Sequence, residues 1–215
     1  MKLFKFHKAL GSWLMVSFMM SLAIVGCKEV KEAEEYDNWK ERNQLFVDSI
    51  SFLTSGNIVV TAADADAMQV GSYYAIETSA STNRQYQYIY VKKLLANTIG
   101  DRAYYTDKAS VFYYGTLING SRFDGNFNGY NANDKSTLDG NENMPTEFDS
   151  PTEFAVNGNI ITGWKTALQY MREGERWMVY VPYQSGYGKD GNGTVLGYSL
   201  LCFDMIMDEV VTTNN

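Results

Sequence analysis

Along residues 28–53 the apolar positions Trp39, Phe46, Ile50 and Leu53 recur at helical spacing among charged residues, with no Pro or Gly. This predicts a helix with one apolar stripe, ended by Ser55-Gly56-Asn57. Two roles fit it: a stalk or docking element for a partner or second subunit, or a solvated helix packed on its own domain. From residue 58 the period changes. Short apolar runs predict strands over 58–62, 73–78, 86–95 and 110–118, the third alternating most clearly. Asn119-Gly120 is a two-residue hairpin signal, after which residues 122–124 resume the chain. A strand over 153–156 and a turn at Asn157-Gly158 come next. A short helix is then expected over 161–171, where Trp164, Leu168 and Met171 lie at i, i+4 and i+7 and share a face. Strands over 176–183 and 198–207 flank a loop, residues 184–194, that holds four glycines.

Residues 125–150 break this rhythm. They hold six Asn, three Gly and five acids against one Lys, so a long, solvated, irregular loop is expected. Its Asn131, Asn133, Asp134, Asp139 and Glu142 do not follow the order of an EF-hand calcium loop, and no metal site is assigned. The glycine-rich loop lacks the G-x-x-x-x-G-K-[ST] order of a phosphate loop.

The N-terminus reads as an address. Lys2, Lys5 and Lys8 precede a 14-residue, mostly apolar run from Trp13 to Gly26, too short for a comfortable membrane span and suited to a signal peptide. It ends in Ile24-Val25-Gly26-Cys27, which looks like a bacterial lipobox. Residues 1–26 are then removed and Cys27 is lipidated, giving a membrane anchor in the cell envelope; Lys28 rather than Asp at the next position favours the outer membrane. Several acyl chains hold stably where one binds reversibly.

Composition then narrows the chemistry. Apolar residues make up 45% and charged residues 20%, as in a chain with a real core. A net charge of −7 argues against nucleic-acid binding. His7 is the only histidine and lies in the leader, which removes Ser-His-Asp and Cys-His catalysis and His-ligated metals together. Cys202, within an apolar run, reads as a small core hydrophobe.

The second half carries specific words. Tyr113-Tyr114-Gly115-Thr116-Leu117, Asn119-Gly120 and Phe123-Asp124 come first, then Phe154-Ala155-Val156 and Ile160-Ile161-Thr162-Gly163-Trp164. Ala167-Leu168, Met171-Arg172-Glu173-Gly174-Glu175, Val181-Pro182, Gly186-Tyr187-Gly188 and Leu201, Phe203, Asp204 follow. In this order, over roughly residues 85–211, they resemble FKBP-type peptidyl-prolyl cis–trans isomerases. The resemblance implies an α+β fold, a half-open antiparallel β-sheet wrapped around a short α-helix, as a domain over 85–215. Residues 27–84 would be an N-terminal extension, a helix and then short strands, which either join the sheet edge or form a companion module.

The same resemblance implies a site. Trp164 is the floor of an aromatic pocket for a prolyl ring, Tyr113, Phe123 and Phe203 are its walls, and Ile160, Ile161 and Val195 complete the lining. Asp124 is a buried carboxylate orienting Tyr113, and Tyr187 donates its hydroxyl to a substrate carbonyl. Asn159, Gly186 and Val195-Leu196-Gly197 depart from the family pattern, and the stretch after Asp124 is lengthened. Rotation about a peptide bond faces a barrier of about 18–20 kcal/mol from amide resonance. Lowering it needs no nucleophile, metal or cofactor, only a site that favours the twisted amide. One reading is therefore an isomerase acting on proline-containing exported proteins. The other is a non-enzymatic lipoprotein that uses the same pocket or the long loop to bind a protein partner.

Overall fold

The computed structural model describes residues 34–82, 85–133 and 143–212. The leader, Cys27, the expected start of the helix at 28–33, and Asp134, Asp139 and Glu142 lie outside them. Residues 38–215 make one compact unit. In the short unit before it, the Asp37 amide donates to the Glu34 carbonyl at 2.9 Å, closing a turn.

Helix α1 spans Trp39–Leu53. Its inward stripe is Trp39, Asn43 and Ile50, with Phe46 half-buried, whereas Leu53 stands 50% exposed, off the stripe where it was expected. Asn43 is polar yet buried because both ends of its amide are used. It donates to the Trp39 carbonyl at 2.7 Å and accepts from the Leu200 amide at 2.7 Å. The Trp39 indole donates to Ser199 at 2.9 Å, so α1 is packed on its own domain.

The strand expected over 58–62 shrinks to β1, Ile58–Val59, because helix α2, Ala62–Ala67, starts directly after it. Thr61 and Asp64 form a capping box: the Thr61 hydroxyl accepts from the Asp64 amide at 3.2 Å, and the Asp64 carboxylate accepts from the Thr61 amide at 2.7 Å. Next come β2 (Tyr73–Glu77), β3 (Tyr88–Leu95), β4 (Lys108–Thr116), β5 (Arg122–Gly125) and β6 (Thr152–Ala155). Helix α3 (Thr162–Tyr170), β7 (Arg176–Val181) and β8 (Leu201–Val211) complete the chain. The sheet runs β1-β2-β3-β7-β8-β4-β5, antiparallel except for the parallel β1–β2 pair. Residues 58–77 thus add strands to the sheet edge, with β2 and β3 pairing across the 84/85 border.

Strand β4 divides one edge between two short partners. β6 pairs with residues 108–111 and β5 with residues 114–116. Asn126 fills the gap: its amide donates to the Tyr113 carbonyl (3.0 Å), its Oδ1 accepts from the Tyr113 amide (2.8 Å), and its Nδ2 donates to the Val111 carbonyl (2.9 Å).

Both faces of the central sheet are covered, so every residue of β7 is buried instead of alternating with solvent. Successive side chains point to opposite faces. On one face α3 lies against Val181 and Ile89, close enough that a Cβ on Gly163 would overlap Val181 and stand 3.1 Å from Ile89. On the other face Phe46 of α1 meets Tyr180, ring centroids 6.4 Å apart. Farther along that face Arg176 pairs with Asp204, both fully buried, with Nε to Oδ1 at 2.9 Å. The first part of the expected solvated loop covers this pair. Phe127 and Tyr130 are buried, the Tyr130 amide donates to Asp204 at 2.8 Å, and the Arg176 guanidinium lies 4.5 Å from the Tyr130 ring centroid. A second buried pair, Lys93 with Glu175 at 2.6 Å, also reaches the α2 backbone through the Ala65 carbonyl at 2.8 Å. Cys202 is fully buried in β8, and burial pushes its thiol pKa up.

Two outcomes are expected in urea unfolding. Gly163→Ala costs about 1–3 kcal/mol through overpacking against Val181. Asp204→Ala costs about 3–5 kcal/mol, because it leaves the Arg176 charge buried without its carboxylate.

Candidate active site

The aromatic side chains converge at the start of α3. Its N-cap is Ile161, in an extended conformation. Trp164, on the first turn, is 4% exposed. Three rings meet its indole at steep angles: Phe154 from β6 (4.9 Å, 66°), Tyr113 from β4 (5.0 Å, 89°) and Phe203 from β8 (5.2 Å, 83°). Edge-to-face contacts of this kind suit the ring quadrupoles. Above them opens a cleft of about 130 Å³ lined by Tyr113, Asp124, Phe154, Asn159, Ile160, Ile161, Trp164, Tyr187 and Phe203. That approaches the roughly 150 Å³ of an apolar cavity that takes a benzene-sized ring. A larger groove lies elsewhere, but these rings do not line it.

The polar rim is small. The Tyr113 hydroxyl donates to Asp124 Oδ1 at 3.1 Å, and the Gly125 amide donates to the same oxygen at 2.8 Å. Burial, with the Asp124 charge adding to it, pushes the Tyr113 pKa up to about 12. Burial, again helped by Asp124, raises the Tyr187 pKa, and a hydrogen bond with Asn192 works against the rise. Both phenols therefore stay protonated, as hydrogen-bond donors, across the neutral range.

Of the expected residues, Tyr113, Asp124, Ile160, Ile161, Trp164, Tyr187 and Phe203 meet in the cleft. Three expectations change. Asp124 is exposed and not buried, because β5 is a four-residue edge strand. Phe123 does not line the cleft; it backs Phe203, centroids 5.5 Å apart. Val195 also stays out, 2% exposed in the core, where Asn192 folds it in by donating to its carbonyl (3.1 Å) and accepting from its amide (2.8 Å).

Sequence reasoning missed Phe154 and Asn159 as lining residues, and Asn126 as the group that fixes the Tyr113 backbone. Phe154 and Asn159 stand inside or beside the words already quoted, so their signal was present. Asn126 is one of six asparagines in residues 125–150, and nothing in the sequence distinguishes it.

Residues 100–207 match the family model described as FKBP-type peptidyl-prolyl cis-trans isomerase. Over 100 residues the chain is 37% identical to a macrophage infectivity potentiator of Trypanosoma cruzi, covering 46% of this chain and 41% of that protein. Over 107 residues it is 33% identical to the FKBP-type 22 kDa peptidyl-prolyl cis-trans isomerase of Escherichia coli, covering 49% and 42%. It is also 32% identical over 92 residues to the outer membrane protein MIP of Legionella longbeachae, covering 43% and 31%. The chain thus spans less than half the length of each of these relatives. The family match covers half of the chain itself, from the segment before β4 to β8, and takes in every residue that lines the cleft: this chain belongs to the FKBP-type peptidyl-prolyl cis–trans isomerase family.

Proposed function

We propose that this protein catalyses cis–trans isomerisation of X–Pro bonds in exported polypeptides, and does so at the cell envelope from a lipid anchor on Cys27. The observation that carries the catalytic reading is the ring of Tyr113, Phe154 and Phe203 standing edge-on around Trp164 under an open, apolar cleft. A prolyl ring fits such a floor. Seating it strips water from the adjoining amide, and the planar form loses hydration that stabilised its charge-separated resonance. The twisted form, with a more ketone-like carbonyl, then needs a fixed donor, and Tyr187 at the rim is the candidate. Tyr113 is held by Asp124 through its hydroxyl and by Asn126 through its backbone, so this wall keeps its position as the amide turns. Asp124 takes the role of a positioning residue.

The envelope reading draws on the lipobox at Cys27 and on a relative named as an outer membrane protein. The substrates are proline-containing polypeptides, and no cofactor takes part. Partial overlap with the relatives leaves the clients to be defined by the chain's own binding surfaces.

In a protease-free isomerisation assay on a proline tetrapeptide, the wild type is expected to exceed the uncatalysed rate. Trp164→Ala should lower kcat/KM by about 10-fold or more, equivalent to about 1.4 kcal/mol of transition-state stabilisation. Asp124→Ala should lower it less, with the fold retained by circular dichroism. An uncatalysed rate from the folded wild type, across several residues before proline, would sink the enzymatic reading.

The pH profile gives a second check. With both cleft phenols raised, kcat/KM should be flat between about pH 6 and 9. Tyr113 binds its proton more tightly folded than unfolded. Its contribution to stability is therefore fully present below about pH 10 and is lost as pH rises toward about 12. Tyr113→Phe should remove that part of the alkaline loss, read as a shallower fall in Tm between about pH 10 and 12.

A further inference from the structure

The larger groove, about 210 Å³, lies between α1, the segment leading into β3 and the loop after β7. Tyr86, Tyr88, Tyr183 and Tyr198 line it, with the amide side chains of Gln44 and Gln87 among them. Tyr86 is 68% exposed, and Tyr88, Tyr183 and Tyr198 are half-buried. Tyr198 is the informative member. Its φ is +63°, the left-handed region that bulky residues rarely occupy. Asn or Gly would sit there without that strain. Its amide donates to the Gly188 carbonyl at 3.0 Å, its ring meets the Tyr183 ring at 5.0 Å and 63°, and the Lys40 ammonium lies 4.5 Å from its centroid. A position that favours Gly or Asn thus holds an aromatic ring in the wall of a groove. Strain of that kind points to use.

We propose that this groove binds an extended, proline-rich segment of the client polypeptide in the polyproline II conformation, as a second site across the sheet from the catalytic cleft. The inference deepens the isomerase reading and rests on it. A polyproline II strand makes no internal hydrogen bonds, so its carbonyls are free for outside donors. Tyrosine hydroxyls and glutamine amides are such donors, and tyrosine faces take prolyl rings. The two charged groups of the groove are already engaged. Lys40 sits over Tyr198, and Asp48 accepts from Gln44 at 2.8 Å, so the lining favours a neutral ligand.

The loop links the two sites. The Gly188 amide donates to the Tyr183 carbonyl at 2.8 Å, so Tyr183 in the groove and Tyr187 at the cleft belong to one hydrogen-bonded turn. A client held in the groove can pass around the end of the sheet at this turn, so X–Pro bonds a connecting stretch away reach the cleft at raised effective concentration.

The test titrates the full-length protein, in mild detergent, with a ten-residue oligoproline, a Gly-Ser peptide of the same length and a neutral hexasaccharide. Calorimetry reads the binding. Oligoproline is expected to bind wild type and Trp164→Ala alike, and the Tyr86→Ala/Tyr198→Asn pair at least 10-fold more weakly. Tyr198→Asn alone should leave Tm unchanged or raise it, since Asn relaxes the left-handed backbone. The double variant should keep wild-type kcat/KM on a proline tetrapeptide yet lose several-fold in rate on an unfolded protein substrate with a proline-rich segment. Oligoproline binding lost in Trp164→Ala and kept in the double variant would overturn the proposal, as would hexasaccharide binding in place of oligoproline, or no binding of either. Failure of the isomerase reading is separable, because the titration needs no turnover.

Discussion

The close approach of α3 to the sheet, at Gly163, is the constraint on which the site depends. A residue without a Cβ lets the first turn of the helix settle onto Val181 and Ile89. Trp164, the next residue, is thereby lowered until its indole meets rings from three strands. A helix standing farther out would leave the indole without those partners and the cleft without a floor. Close packing of this kind tolerates little change, since interiors are as dense as organic crystals. The aromatic cluster is therefore a product of helix placement as much as of residue type.

The opposite face of the sheet keeps the strands in register for that placement. Arg176 and Asp204 meet diagonally on adjacent central strands, and the segment from Asn126 to Tyr130 closes over them. Asn126 joins this cover to the site, because it holds the backbone of Tyr113 between the two short strands that share the edge of β4. The lengthened stretch after Asp124 thus does structural work at its start. The N-terminal helix adds a further cover, fastened by Trp39 and Asn43 to the chain just before β8.

Much of this was legible in the sequence where periodicity and chemistry agree. Trp164, Leu168 and Met171 gave the buried face of α3 correctly, and the Tyr113, Phe203 and Ile160-Ile161 words led to the cleft. Where burial depends on a distant partner, the signal failed. Nothing in the sequence marks Lys93 or Arg176 as buried, yet each lies buried against an acid remote in sequence. Tyr130 and Phe127, in an Asn-rich stretch, read as solvated for the same reason. The capping box of Thr61 and Asp64 was a local signal available in the sequence, outweighed by the apolar run before it. Val195 and Phe123 were placed by family position, but side-chain direction depends on local turns such as the one Asn192 makes.

The lone thiol in β8 has a consequence for handling and for measurement. Cys202 lies between β7 and β4, with no exposed surface, and burial keeps it in the unreactive protonated form. In an oxidising compartment it is shielded both from oxidants and from mixed disulfides while the strands stay paired. A thiol reagent can reach it only when β8 separates from its neighbours, an opening that costs close to the full unfolding free energy for a central strand. The rate at which Cys202 is labelled therefore counts openings of the sheet's centre, a reporter of global unfolding that needs no introduced probe.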